Sequence, residues 1–387
     1  MKITLSILFI LSTAISANGQ FLQNLKEKDK AFHFDNYPTK KIILDSISDF
    51  YKKPTVSNID SVVVIDSRYS NKSLGFITAL MKKVKPGISG STTKPASSLY
   101  YHDYSINNIQ FENLPEKSIA GYISSALASS TNETKFSLLV IIKNLWLSDK
   151  IDFIGKKNYE NEEEYFSKSG IIGNFEFYIY KDNSYWPIFR YERKLRNNFA
   201  LKEYAKKYIL SFIDSCLIKL STINLQNISQ SKKALTLEQI KQYNNERFEI
   251  PVLKDSLYKR GVYMNFNEFK NNTPHFADFN IEKNRLADIM TVKGADGKET
   301  IERNAWGYCD GKKFYIQNNS NYFELSRIDN SFFVKVATNK LRTNELGSNS
   351  ITNVGTGLII PPLKIKYNAI KSDSSPYCLN MDTGEIY

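Results

Sequence analysis

Apolar and polar positions along the 387-residue chain change their period several times, and each change marks an element. Lys2 is followed by the apolar run Ile3–Leu11, broken only by Thr4 and Ser6, and then by small residues through Ser16-Ala17-Asn18-Gly19. A positive start, a short apolar stretch and a small-residue end make a secretory signal peptide over residues 1–19, cut before Gln20. The apolar run is too short to cross about 30 Å of hydrocarbon as a helix. No Cys lies near the cut, so no lipid anchor is indicated at this end. No later window supplies about 18 consecutive apolar residues. The mature chain is therefore expected to be periplasmic or secreted, with no membrane span.

Within the mature chain, Ser61–Asp66 is a short β-branched run and reads as a buried strand. Thr78–Val84 reads as a short helix or strand, and Pro86–Ser98, rich in Gly, Ser, Thr and Pro, as a loop. Asn113 with Glu116 suggests a capping box, ahead of Ile119, Ile123 and Leu127 at four-residue spacing. Phe136–Leu147 is nearly all apolar, which predicts a central strand covered on both faces. Asn174–Lys181 alternates, with Phe175, Phe177 and Ile179 on one face. Asp182-Asn183-Ser184 then turns the chain into Tyr185–Arg193. Pro187 pushes that second strand to a sheet edge, because it lacks a ladder donor.

Ala200–Leu220 carries one apolar face, from Leu201 through Phe212 and Cys216 to Leu220, and predicts a long helix. Residues 221–249 lose this period, with room for a short helix from Thr236. From Pro251 the pattern becomes short strands and turns. Asp310-Gly311 predicts a two-residue hairpin, Asp329-Asn330 joins Tyr322–Ile328 to Ser331–Val336, and Thr338–Thr356 reads as a long exposed loop. The fold class is α+β: an N-terminal α+β domain over 20–230, a linker over 231–250 and a mostly antiparallel β domain over 251–387.

A composition of 42% hydrophobic and 24% charged residues suits a packed protein and excludes a disordered chain. The net charge of +12 comes from Lys more than Arg, 42 against 10. Arg is the residue that grips phosphate in a planar fork, so the surplus reads as solubility and no nucleic-acid partner is expected. The excess is local. Arg190–Lys207 holds seven basic and two acidic residues, and Arg190, Arg193, Lys194 and Arg196 are the candidate patch for an anionic ligand, beside the plainer reading of a solvated surface. Three histidines, without His-x-x-x-His or Cys-x-x-Cys spacing, indicate no metal centre, and no cofactor motif is present.

Catalytic signals are thin. Gly87-Ile88-Ser89-Gly90 is one residue short of a nucleophile elbow, and Pro95 disfavours the helix that Ser91-Thr92-Thr93-Lys94 would need. His102-Asp103 is the one adjacent His–carboxylate pair, but neighbours on a strand point apart. Asp66 and Arg68 follow a strand end and suit a local ion pair. Glu160 and Glu162–Glu164 read as a solvated acidic loop. Cys216 is expected as a buried thiol. Cys309 and Cys378, each at a hairpin turn, are a candidate disulfide, closing a loop of roughly 70 residues worth roughly 4 kcal/mol; sequence leaves that pairing open. Trp306, Tyr308, Phe314, Tyr315, Tyr322, Phe323, Phe332 and Phe333 alternate along strands, half of them expected in the core and the rest free to stack on a partner.

Val62-Val63-Val64-Ile65-Asp66-Ser67-Arg68, then Gly75, Ser124-Ser125-Ala126-Leu127 and the Phe136–Leu147 strand, together resemble the auxiliary lipoproteins of bacterial transport and curli secretion, whose domain begins with a strand ending in Asp-x-Arg. Gly261 through Phe269, with Asn272, Pro274 and Trp306–Gly311, resembles secreted proteins of the Bacteroidota; that likeness implies location and no activity. The expectation is a non-enzymatic cell-envelope protein that binds a protein or glycan partner. The alternative is a periplasmic hydrolase using dispersed carboxylates or His102-Asp103.

Overall fold

The computed structural model describes residues 32–44, 56–84, 100–127, 135–156, 163–197, 201–283, 288–318, 321–336 and 375–386. The signal peptide and the two loops expected at 86–98 and 338–356 lie outside these. The architecture is α+β, and its contacts divide it into two units. Tyr37–Leu237 lies in one unit, and the other gathers 32–36, Glu238–Val336 and 376–386.

The first unit is built on a mixed sheet. Its strands are β1 (Thr39–Ile42), β2 (Ile59–Asp66), β3 (Gly75–Val84), β4 (Tyr100–Phe111), β5 (Phe136–Lys156), β6 (Glu163–Lys181) and β7 (Ser184–Asn197), in the order β1-β4-β3-β5-β6-β7, with β2 parallel to β5. Phe136–Ile142 is buried on both faces, as its unbroken apolar run requires. Asp182 and Asn183 turn β6 into β7 with φ of +50° and +59°, the left-handed pair that matches strand twist. Pro187 sits on β7, the terminal strand.

One face of the sheet carries α1 (Pro115–Ser124), α2 (Leu201–Ser221) and α3 (Leu225–Ser231). The α1 start differs from the expected Asn113 box. Leu114 is the N-cap without a side-chain bond, and Pro115 opens the helix, where its missing N–H costs nothing. On α2, Ile209, Phe212, Ile213, Cys216, Leu217 and Leu220 are fully buried. The Phe212 ring lies against Gly173 of β6, where a Cβ would fall 2.3 Å from it, and meets Phe175 edge-on at 5.0 Å. Tyr122 Oη donates to Asp214 Oδ1 at 2.7 Å and ties α1 to α2.

In the second unit, α4 (Leu237–Asn245) begins one residue after Thr236, and α5 (Pro251–Lys254) follows. The unit's six-stranded sheet runs β16-β15-β14-β13-β12-β8, from β8 (Gly261–Tyr263), β12 (Gly307–Cys309), β13 (Phe314–Asn318), β14 (Asn321–Ile328), β15 (Ser331–Val336) and β16 (Ser375–Leu379). A three-stranded sheet of β9 (Phe279–Glu282), β10 (Ile289–Lys293) and β11 (Glu299–Glu302) joins it through a core of Val262, Met290, Val292, Tyr308 and Tyr322. Helix α6 (Phe266–Lys270) drives Phe269 among Tyr263, Trp306, Phe314 and Phe332. The turn after β12 spans four residues, where two were expected: Asp310 N–H donates to Lys313 O, and Asp310 Oδ1 accepts from Lys312 and Lys313.

This unit also takes in an early piece of chain. Phe32 N–H donates to Ser326 Oγ at 2.7 Å, its ring stacks on Phe333 at 5.2 Å, and Phe34 meets Phe333 edge-on at 5.0 Å. Phe32 is 2% exposed.

Candidate functional site

Two long β-ribbons dominate the first unit. β5 and β6 run 21 and 19 residues, well beyond the usual strand of about 3–10. β3 and β5 are parallel and meet at a single register pair, Gly75 with Leu147. Past that point, among the described residues, β3 pairs with β4 alone and β5 with β6 alone, so two ribbons leave the sheet in the same direction.

The take-off point is held by a buried polar network. Arg68 Nε donates to Asp66 Oδ1 at 2.8 Å, Arg68 Nη2 donates to Asp66 Oδ2 at 2.7 Å, and both side chains are about 5% exposed. Arg68 Nη1 donates to Ser73 O at 3.0 Å. Ser73 Oγ bonds Asn108 Oδ1 at 2.6 Å and accepts from Gly75 N at 2.9 Å. The Asp-x-Arg pair is thus the local ion pair expected, and it fixes the 67–74 connection that sets β3 between β4 and β5. Gly75 completes the fit. At φ +131° it adopts a conformation other residues rarely reach, and a Cβ there would stand 1.9 Å from Leu147 O.

Sequence reasoning missed a second buried pair. Lys143 sits at a β-bulge in β5, between Ile142 and Asn144. Its Nζ lies 2.9 Å from Glu176 Oε1, while Tyr178 Oη donates to Glu176 Oε2 at 3.1 Å. Lys143 and Glu176 are 5% and 6% exposed. The signal was a lone cation inside an apolar run, with a carboxylate at an alternating position of the paired strand.

The other candidates separate. Arg190, Arg193 and Lys194 are exposed on β7, and Arg196 stands in register with Gly170. Strand alternation puts positions 190, 194 and 196 on one face of β7 and Arg193 on the other. Arg190 Nε donates to Asn174 Oδ1 at 2.9 Å, and Arg193 Nη1 donates to Tyr191 Oη at 3.4 Å. His102 and Asp103 are consecutive on β4, opposite Lys82 and Met81.

Cys309 and Cys378 do not pair. Both are buried free thiols. β12 and β16 are separated by β13, β14 and β15, and a strand-to-strand step is about 4.8 Å, against roughly 7 Å as the widest Cα separation a disulfide spans. Cys309 Sγ accepts from Gly311 N, and Cys378 Sγ lies 3.8 Å from Ser331 Oγ.

Of the eight strand aromatics, Tyr308, Phe314, Tyr322, Phe323, Phe332 and Phe333 are buried, and Trp306 and Tyr315 are half-buried. Six of the eight thus serve the core, where half were expected there. Gly261 and Asn272 likewise serve packing: a Cβ on Gly261 would meet Pro274 at 2.5 Å, and Asn272 bridges Asp255 Oδ2 and Lys259 N. An open depression of about 300 Å³ is lined by Arg260, Phe279, Lys293 and Glu299. Arg260 is committed there, stacked over Phe279 at 4.5 Å and donating to Ala277 O and Phe279 O. Among the described residues, no cluster of three His, Cys, Asp or Glu is arranged to hold a metal, and no single helix is long and apolar enough to cross a membrane. No protein-family model matches the chain, and no curated protein matches it in sequence.

Proposed function

We propose that the mature chain is a non-enzymatic protein of the cell envelope that binds a protein partner through its two ribbons. The observation that carries this is the parting of the ribbons at Gly75 and Leu147. Beyond it, residues 78–84 of β3, 100–107 of β4, 148–156 of β5 and 163–168 of β6 have no strand partner outside their own ribbon among the described residues. A two-stranded ribbon is marginal alone in water, and an unpaired edge is a template for another strand. Supply of that strand by a partner, including a second copy, completes what the ribbons lack. The Asp-x-Arg resemblance supports the same setting, the bacterial envelope.

A second reading is favoured by ribbon length. Ser148–Lys156 extends about 30 Å at roughly 3.4 Å per residue, the depth of a bilayer core. In register, Ile151 and Phe153 oppose Ser167 and Tyr165, while Lys150 and Asp152 oppose Lys168 and Phe166. Across these four pairs one alternating set is mostly apolar and the other mostly charged, while Asp149 and Ser169 continue the first set with polar residues, so the apolar band is shorter than that of a membrane-barrel strand.

The reading is tested by cross-linking from position 153 in the full mature chain, with native mass spectrometry and flotation on phospholipid vesicles. Capture or self-assembly that Ile151→Asp/Phe153→Asp abolishes supports ribbon binding. Flotation lost in the same variant selects the bilayer. Assembly unchanged in the variant, or a chain that neither assembles nor floats, overturns the reading.

A further inference from the structure

The outer edge of the first unit's sheet, on β7, shows how an added strand would be received. β7 is the terminal strand, and this chain already pairs with part of its outer edge. Tyr185 N–H donates to Leu235 O at 3.0 Å, and Leu235 N–H donates to Tyr185 O at 2.7 Å. Lys232 Nζ then covers the next carbonyls, Pro187 O at 2.7 Å and Ile188 O at 3.2 Å. The pairing stops there. Arg190–Asn197 has no strand partner on its outer side among the described residues, although the backbone continues in regular register with β6.

The charge along this open stretch stands on both faces. Arg190 and Lys194 are on one. Arg193 is on the other, joined by Lys219 of α2, whose Nζ lies 4.7 Å over the Phe189 ring and 5.9 Å from that of Tyr191. Glu192 is the single acid, 3.6 Å from Arg190 Nη2. Side chains of an added strand alternate between the two faces, so both of its faces would stand near cations, with Glu192 the one acid between Arg190 and Lys194. An amphipathic strand would waste half of this arrangement; a run of consecutive carboxylates uses all of it.

We propose that Arg190–Asn197 is a receiving edge for an extended acidic segment of a partner protein, joined by β-strand addition. Main-chain bonds to β7 supply the affinity, and the cations on the two faces select for acid. The Pro187–Ile188 carbonyls, closed by Lys232, fix where the added strand must end.

The experiment uses the full mature chain and a fluorescein-labelled eight-residue peptide of Glu and Val with adjacent Glu pairs. It is compared with the same peptide N-methylated at alternate backbone nitrogens, which keeps the charge and removes the edge donors. The expected result is saturable binding, weakened about tenfold or more both by N-methylation and by Arg193→Glu/Lys194→Glu. These two side chains are exposed, so the variant should keep the wild-type circular dichroism and melting point. Equal binding of the two peptides would show charge attraction without strand addition and overturn the proposal, as would no binding or binding indifferent to the charge reversal. Neither substitution touches β3–β6 beyond Leu147, so failure here leaves the ribbon reading standing.

Discussion

Gly75 and Leu147 meet backbone to backbone where the two ribbons part: Leu147 N–H donates to Leu74 O at 2.6 Å, and Gly75 Cα faces the Leu147 carbonyl so closely that no Cβ fits. Gly75→Ala therefore combines a steric clash with a forbidden φ. It is expected to cost about 3 kcal/mol or more. Thermal melting checks it, and a variant melting within about 2 °C of wild type would show that the contact is not tight.

Arg68→Met strands the Asp66 carboxylate in the interior. The expected loss is about 3–5 kcal/mol by urea unfolding, and adding Asp66→Leu should recover a large part, because an apolar pair replaces a buried ion pair more cheaply than one partner alone. A single variant as stable as the double would contradict the bidentate geometry.

Lys143→Met is expected to behave in the same way against Glu176, at about 3–5 kcal/mol. Glu176→Gln in the Lys143→Met background should restore stability, since Tyr178 keeps an acceptor. A double-mutant cycle with zero coupling would place the two side chains apart.

The three cysteines are expected as thiols. Alkylation of the denatured chain without reductant should add three labels by intact mass, and two fewer would restore the disulfide. In the native state Cys309 should react slowly at pH 7.5, because burial, opposed by the Gly311 N–H, pushes its pKa up to about 11.

Burial raises the pKa of Tyr263, Tyr308 and Tyr322, and burial with the Asp214 hydrogen bond raises that of Tyr122. A raised folded pKa means the protonated form is favoured by the fold. Its stabilisation is complete below the unfolded value of about 10 and falls as pH rises beyond it. Urea midpoints should thus drop steeply above about pH 10, with these tyrosines ionising at 295 nm only as the chain unfolds. Full ionisation in a still-folded protein would argue against their burial.

Most elements with a clean period could be read from the residues alone. The apolar stripe on Leu201–Leu220, the Asp182-Asn183 turn and the edge position marked by Pro187 each follow from one local rule. The ribbons could not, because Thr78–Val84 is too short to separate helix from strand until its partner Tyr100–Phe111 is known. The Lys143–Glu176 pair was hidden because a bulge shifts strand phase, which no spacing announces. The cysteine pairing failed for a related reason. Similar turns flank Cys309 and Cys378, but strand order decides their separation, and order is a long-range property. Arg190, Arg193 and Lys194 were found as charge, while their division between two faces became visible only with the register of β7.

The docking of Phe32 and Phe34 on Ser326 and Phe333 has a consequence for biogenesis. A chain made from its N-terminus produces this segment early, yet its seat on β14 and β15 is made about 300 residues later. Strands β1–β7 and helices α1–α3 are all made in the interval, whereas the other unit joins residues 32–36 to strands made after residue 320. A nascent chain halted before Phe333 would thus hold Phe32 and Phe34 without their seat.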